Sequence, residues 1–227
     1  SPGERVLKGT ASELAEIPCA DLAVMLVLNP NSVNPFEPVR DEMLTRAKVP
    51  MTKEEVRWVS VARLGVQPGD TVWDVGAGTG AVTFELARKA MDGAVFAVER
   101  NTEAIELIAQ NRQKLGGFNV HIVQGHAPEV LADLPKPNCV FVGGSGGNMR
   151  EIIEAALMKN PKARIAVNAI ALETLQETQR LFAEFGLQQV EITQLSAARG
   201  KSIGCYTMMT ANNPVFILSG KGDKYGE

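Results

Sequence analysis

The sequence predicts an α/β fold: a doubly wound, mostly parallel, seven-stranded sheet of Rossmann-like type that ends in an antiparallel hairpin. Three observations predict it. Short apolar runs alternate with helix-length segments from about residue 50 to residue 185, the pattern of parallel strands joined by helical crossovers. One run, Val72-Trp73-Asp74-Val75, breaks into Gly76-Ala77-Gly78-Thr79-Gly80 and then opens a helix at Ala81. The last two apolar runs, Leu187 to Leu195 and Thr207 to Leu218, have no helix between them and therefore pair antiparallel.

Taken in order, Thr10-Ala-Ser-Glu13 caps a short helix and Leu22 to Leu28 reads as a strand. One helix and one strand cannot make a core, so residues 1–29 read as the tail of something else. Residues 30–48, rich in Pro and Asn at their start, read as a linker or arm. The main domain spans 49–220, with 221–227 a C-terminal tail. Thr52 is a natural N-cap, with Glu55 completing a capping box for a helix running to about Leu64. Then come strand 71–75, helix 81–91, strand 94–98, helix 102–115, strand 120–124, a short helix near 128–133, strand 139–142, helix 148–158, strand 163–168 and helix 173–185.

Composition narrows the function classes. The net charge of −3 gives no global basic field for nucleic acid. No apolar run approaches the roughly 18 residues of a membrane span, and the short run 20–28 lacks the basic flank of a signal peptide. Cys19, Cys139 and Cys205 are scattered and odd in number, so neither a disulfide framework nor a zinc site is indicated, and a reducing cytoplasm fits. Cys139, inside an apolar run, is expected to be a buried small residue.

The glycine loop carries the chemistry. Gly76, Gly78 and Gly80 let the chain turn sharply and let a ligand lie against bare backbone, and the helix that follows points its amides at that ligand. The spacing also satisfies a loose dinucleotide fingerprint. Asp74 separates the two possibilities. A carboxylate just before the glycines repels a pyrophosphate but welcomes a cation, such as the ammonium and sulfonium of S-adenosylmethionine. Glu99 ends the next apolar run, where an acid grips ribose hydroxyls in either cofactor. The favoured cofactor is S-adenosyl-L-methionine, with a nicotinamide or flavin as the alternative. The sheet and its hairpin match the class I S-adenosylmethionine-dependent methyltransferase shape.

Ligands of such sheets lie at the carboxyl ends of the strands. That rule adds Arg100, Gly125, His126, Ala127 and Gly143 to the cofactor site. It also nominates Gly144, Ser145, Gly146 and Gly147 as an open wall of backbone amides for a flat or anionic substrate. His126 is either beside the adenine or a loop histidine in solvent; His121, mid-strand, is expected to be packed or exposed rather than functional. Arg199 and Lys201, in a basic small-residue loop, and Arg150 are candidate partners for substrate carboxylates. Methyl transfer is an in-line attack on an activated methyl group, so positioning supplies most of the effect. No catalytic residue, general acid or metal cluster stands out.

Several motifs occur together in this order: Thr52-Lys-Glu-Glu-Val, Asp74-Val-Gly-Ala-Gly-Thr-Gly80, Gly125-His-Ala-Pro-Glu129, Val142-Gly-Gly-Ser-Gly-Gly147, Ala198-Arg-Gly200, Thr207-Met-Met209 and Asn213-Pro-Val215. Over residues 50 to 220 the chain resembles the precorrin-6Y C5,15-methyltransferase (decarboxylating) family of cobalamin biosynthesis. Its members methylate carbon 15 of a precorrin and decarboxylate a ring acetate. Residues 3–28 resemble the tail of the tetrapyrrole methylase domain that precedes this one in fused members. The resemblance implies that Thr52, Gly76 to Gly80, Glu99 and Ala127 contact S-adenosylmethionine, that the substrate is a polycarboxylate tetrapyrrole, and that the protein is a homo-oligomer, usually a tetramer. Glu99 and His126 stand where the family often has Asp. The alternatives are an RNA or other small-molecule methyltransferase and a non-catalytic S-adenosylmethionine-binding module.

Overall fold

The structure, a computed structural model, describes residues 5–19, 22–28, 34 and 37–223. The chain divides into two compact units, residues 1–32 and 33–227. In the first, α1 (Ala11–Ala15) carries the expected reciprocal cap. The Thr10 hydroxyl accepts from the Glu13 amide, and the Glu13 carboxylate accepts from the Thr10 amide at 2.7 Å. None of its residues is buried. The strand expected at Leu22 to Leu28 does not form: the segment is exposed and unpaired within its unit, so there is no ladder for it to join.

The second unit begins earlier than residue 49. Val39 and Leu44, in the segment read as a linker, are buried in its core. α2 (Glu54–Leu64) is followed by β1 (Thr71–Val75), α3 (Ala81–Lys89), β2 (Ala94–Glu99), α4 (Thr102–Leu115) and β3 (Val120–Gln124). A 3-10 turn at Glu129–Asp133 leads to β4 (Cys139–Val142), α5 (Met149–Lys159), β5 (Arg164–Ala169), α6 (Leu172–Glu184) and β6 (Gln188–Leu195). The chain ends with β7 (Ala198–Ile203), β8 (Tyr206–Ala211) and β9 (Val215–Lys221).

Seven strands form one sheet in the order β3-β2-β1-β4-β5-β9-β6. The first five are parallel, and β9 runs antiparallel between β5 and β6. The doubly wound sheet with an antiparallel C-terminal pair is as the sequence predicts. β1 and β4 are central, so their side chains pack on both faces. Val72 and Phe141 join Phe84 and Leu86 on one side, while Trp73 and Val140 join Ile153 and Phe182 on the other. An apolar run without alternation follows from that two-sided burial.

Three local expectations differ. α2 starts at Glu54 with Lys53 as its N-cap, and the Thr52 capping box does not form. Its acids are engaged elsewhere: Glu54 accepts from the Asp41 amide and Glu55 pairs with Arg199. The segment 197–202, read as a loop, contains β7, which pairs with β8 as a separate two-stranded ribbon turned at Gly204. The ribbon is largely exposed on both faces, so no apolar alternation marks it in the sequence. The apolar run 207–218 therefore holds parts of two strands, β8 and β9. Cys139 is buried as expected, and burial pushes its thiol up to about 12. His121 is exposed and stacks on Phe96.

Candidate functional site

A cavity of about 580 Å³ opens at the carboxyl ends of β1, β2 and β4. It is bounded by the Gly76–Thr79 turn, by Glu99 to Asn101, by Gly125 to Ala127 and by Gly143 to Gly146. Its size suits a small cofactor with part of a substrate.

The two glycine loops touch. Gly76 has φ +75°, and a Cβ there would lie 2.6 Å from the Gly144 carbonyl oxygen and 2.8 Å from its nitrogen. The Gly143 amide donates to the Val75 carbonyl at 2.9 Å, so the second loop is anchored at the end of β1. Gly78 also has positive φ, and Pro50 crosses over it, 3.3 Å from where a Cβ would sit. Gly80 (φ +79°) backs onto Phe84 and starts α3. Only glycine combines these turns with these approaches.

Asp74 sits at the floor, fully buried. The Thr83 hydroxyl donates to its Oδ2 at 2.5 Å, and Oδ1 has no partner among the described residues. Burial pushes its carboxyl up to about 7; Thr83 opposes the shift and the nearby Glu99 charge adds to it. Thr79 Oγ1 is likewise buried and unpartnered. Orphaned buried oxygens on a cavity wall are waiting for donors. A buried carboxylate oxygen calls for a cationic donor, of the kind a ligand ammonium supplies.

Glu99 is fixed by three backbone amides. Its Oε2 accepts from Gly78, and its Oε1 from Arg100 and Asn101, each at 2.9 Å. The carboxylate thus ties the end of β2 to the glycine loop, with one lone-pair site left on Oε2 for a ligand hydroxyl. His126 Nδ1 lies 3.0 Å from Glu129, whose carboxyl is held below its usual range by its own backbone amide and by His126. The His126 and Arg100 side chains both lie close to Gly146.

The sequence-selected residues Thr52, Asp74, Gly76 to Thr79, Glu99, Arg100, Gly125 to Ala127 and Gly143 to Gly146 all line this cavity. Gly80 and Gly147 do not. Neither do Arg150, Arg199 and Lys201. Arg150 pairs with Glu184 at 2.5 Å on the α5–α6 surface. Arg199 is clasped by Glu55 at 2.6 and 2.7 Å and by Asp41 at 2.9 Å, anchoring the ribbon to the start of α2. Lys201 is exposed on the same strand.

Sequence reasoning missed Arg57. This fully buried guanidinium donates to the Val39 carbonyl at 2.5 Å and to the Thr52 carbonyl at 2.6 Å. It holds the strap 49–52 across the glycine loop. Its position within a helix gave no signal. Asn101, Asn168 and Asn213 were also missed as cavity residues. Asn101 and Asn168 follow from the strand-end rule applied to β2 and β5, and Asn213 lies in one of the motifs.

The family model described as a precorrin methyltransferase domain matches residues 45–221. A probable cobalt-precorrin-6B C(15)-methyltransferase (decarboxylating) of Pyrobaculum calidifontis is 43% identical over 184 residues, 80% of this chain and 94% of that protein. The crystal structure of precorrin-6y C5,15-methyltransferase from Geobacter metallireducens matches with TM-score 0.76 and 36% identity over 81% of this chain and 97% of that one. The C-terminal domain of precorrin-6Y C5,15-methyltransferase from Rhodobacter capsulatus matches with TM-score 0.70 and 28% identity over 83% and 100%.

Proposed function

The chain belongs to the precorrin methyltransferase family, and from that premise we propose that it methylates carbon 15 of a precorrin and decarboxylates a ring acetate in cobalamin biosynthesis. The methyl donor is S-adenosylmethionine, which supplies an electrophilic methyl group when bound. The observation that carries the cofactor reading is Asp74: a buried carboxylate with one unpartnered oxygen in the wall of the cavity. Glu99 holds the ribose hydroxyls, and the bare backbone of Gly76 to Gly80 admits the cofactor closely.

The chain's own work is positioning. The wall Gly143 to Gly146, with Ser145, faces the macrocycle and aligns its carbon with the methyl group. Lys201 is the exposed cation on β7 for a substrate carboxylate. Arg150 and Arg199 can serve one only by leaving Glu184 and Glu55. The exposed Ile203, Tyr206, Met208 and Met209 of the ribbon suit burial between copies in a homotetramer. Residues 1–29 read as the tail of a preceding tetrapyrrole methylase domain, in keeping with a relative in which the matching part is C-terminal. Free cysteines fit a cytoplasmic enzyme.

Isothermal titration with S-adenosylhomocysteine, and with NAD in parallel, tests the cofactor. Micromolar binding of the first and none of the second is expected. Binding of NAD alone overturns the roles given to Asp74 and Glu99.

A further inference from the structure

A second, open cavity of about 330 Å³ adjoins the Gly143–Gly146 wall, against the end of β5 and the first turn of α6. Both cavities share that wall, Asn168 and Ile170. Their chemistry differs. The first is lined by Lys53, Asp74, Glu99 and Arg100 among others. Among the described residues, the second is lined by no charged side chain. Its polar groups are the Ser145 hydroxyl, the Asn168 amide and the Thr174 hydroxyl, set beside Val142, Met149 and Ile170.

Asn168 is oriented from behind. The buried Ser60 hydroxyl lies 2.8 Å from both Asn168 Oδ1 and the Val56 carbonyl, and its one hydrogen is shared between these two acceptors. The amide nitrogen has no partner among the described residues, so its hydrogens are free to donate into the cavities. Thr174 stands in the first turn of α6, and its hydroxyl has no hydrogen-bond partner among the described residues either.

An uncharged, hydrogen-bonding seat suits a carboxylate that must lose its charge. In decarboxylation the negative charge moves off the carboxylate as the bond breaks. A cation beside it would hold the ground state more tightly than the transition state and slow the step. Neutral amide and hydroxyl donors orient the group with a smaller ground-state penalty.

We infer that this second cavity is where the ring acetate is decarboxylated, with Asn168 and Thr174 donating to its carboxylate. The inference rests on the family-based function above. The bond between the methylene carbon and the carboxylate breaks, and its electron pair passes into the conjugated macrocycle. Carbon dioxide leaves, and a proton from water adds to the methylene carbon to give a methyl group. The methyl donor occupies the first cavity, so the two reactions have adjoining seats that share the Gly143–Gly146 wall, Asn168 and Ile170.

The test measures carbon dioxide release and methyl transfer separately, with cobalt-precorrin-6B as substrate. Asn168→Ala is expected to lower kcat for carbon dioxide release roughly 10- to 100-fold, the range for a lost hydrogen bond to a charged group. Thr174→Val acts in the same direction, on an outer helical turn where folding is not at risk. In both variants methyl transfer falls no further than carbon dioxide release. Thr174→Lys puts a cation in the seat and is expected to lower KM while lowering kcat for carbon dioxide release. The inference is overturned if methyl transfer falls further than carbon dioxide release, or if Asn168→Ala and Thr174→Lys both stay within about threefold of the parent. S-adenosylhomocysteine affinity and melting temperature report whether each variant is folded. A parent protein that neither transfers methyl nor releases carbon dioxide would instead sink the family-based function.

Discussion

Gly76→Ala is expected to abolish S-adenosylhomocysteine binding and to cost about 3 kcal/mol or more of stability, from overpacking and a left-handed backbone together. The new methyl group would lie 2.6 Å from the Gly144 carbonyl oxygen and 2.8 Å from its nitrogen, and both are backbone atoms that cannot rotate away. The φ of +75° adds strain for any residue with a Cβ. Relief requires the loop 143–147 to move off the loop 76–80, and that movement dismantles the wall of the cavity. Gly144→Ala is the contrast: its Cβ meets nothing within 4 Å, so its melting temperature is expected to stay near that of the parent. Thermal melts and S-adenosylhomocysteine titration of the two variants check this. Equal melting temperatures would mean that the two loops are not packed as described.

Asp74→Asn is expected to weaken cofactor binding about 100-fold or more, the scale for removing one partner of a buried charge pair. It is also expected to stabilise the cofactor-free protein above neutral pH. The folded carboxyl is pushed up to about 7, well above its value of 3.8 in an unfolded chain. A raised folded pKa means that the native state holds the extra proton between those limits. The group's contribution is therefore fully present below about pH 4 and is lost as pH rises through 7, on the order of 4 kcal/mol in all. The asparagine variant lacks this loss, so without cofactor it should melt above the parent at pH 8. In the parent, S-adenosylhomocysteine affinity should rise from pH 6 to pH 8, because the ammonium is received by the ionised carboxylate. A pH-independent affinity, or a variant that binds as the parent does, would remove Asp74 from the site.

The glycine-loop end of the cavity was legible in the sequence because backbone constraints wrote it. Gly76, Gly78 and Gly80 answer to positive φ and close approach, and Asp74 and Glu99 stand at strand ends on the cavity wall. The central strands were legible because burial on both faces leaves unbroken apolar runs. The partners of the basic residues were not. Arg199 reads as a free cation in sequence, yet its partners Glu55 and Asp41 lie far away along the chain and only folding brings them together. Arg150 with Glu184 is the same case. The β7–β8 ribbon escaped because exposed strands carry no alternation. Arg57 escaped because a buried arginine that bonds carbonyls looks like any helical arginine until the strap it holds is seen.

The most direct test of the function is a single incubation of the purified protein with methyl-labelled S-adenosylmethionine and cobalt-precorrin-6B, with the product analysed by mass spectrometry. The expected product has gained one labelled methyl group on carbon 15 and lost one carbon dioxide. S-adenosylmethionine bound but no label transferred to the tetrapyrrole would contradict it, and would leave a binding module or a methyltransferase of another substrate class.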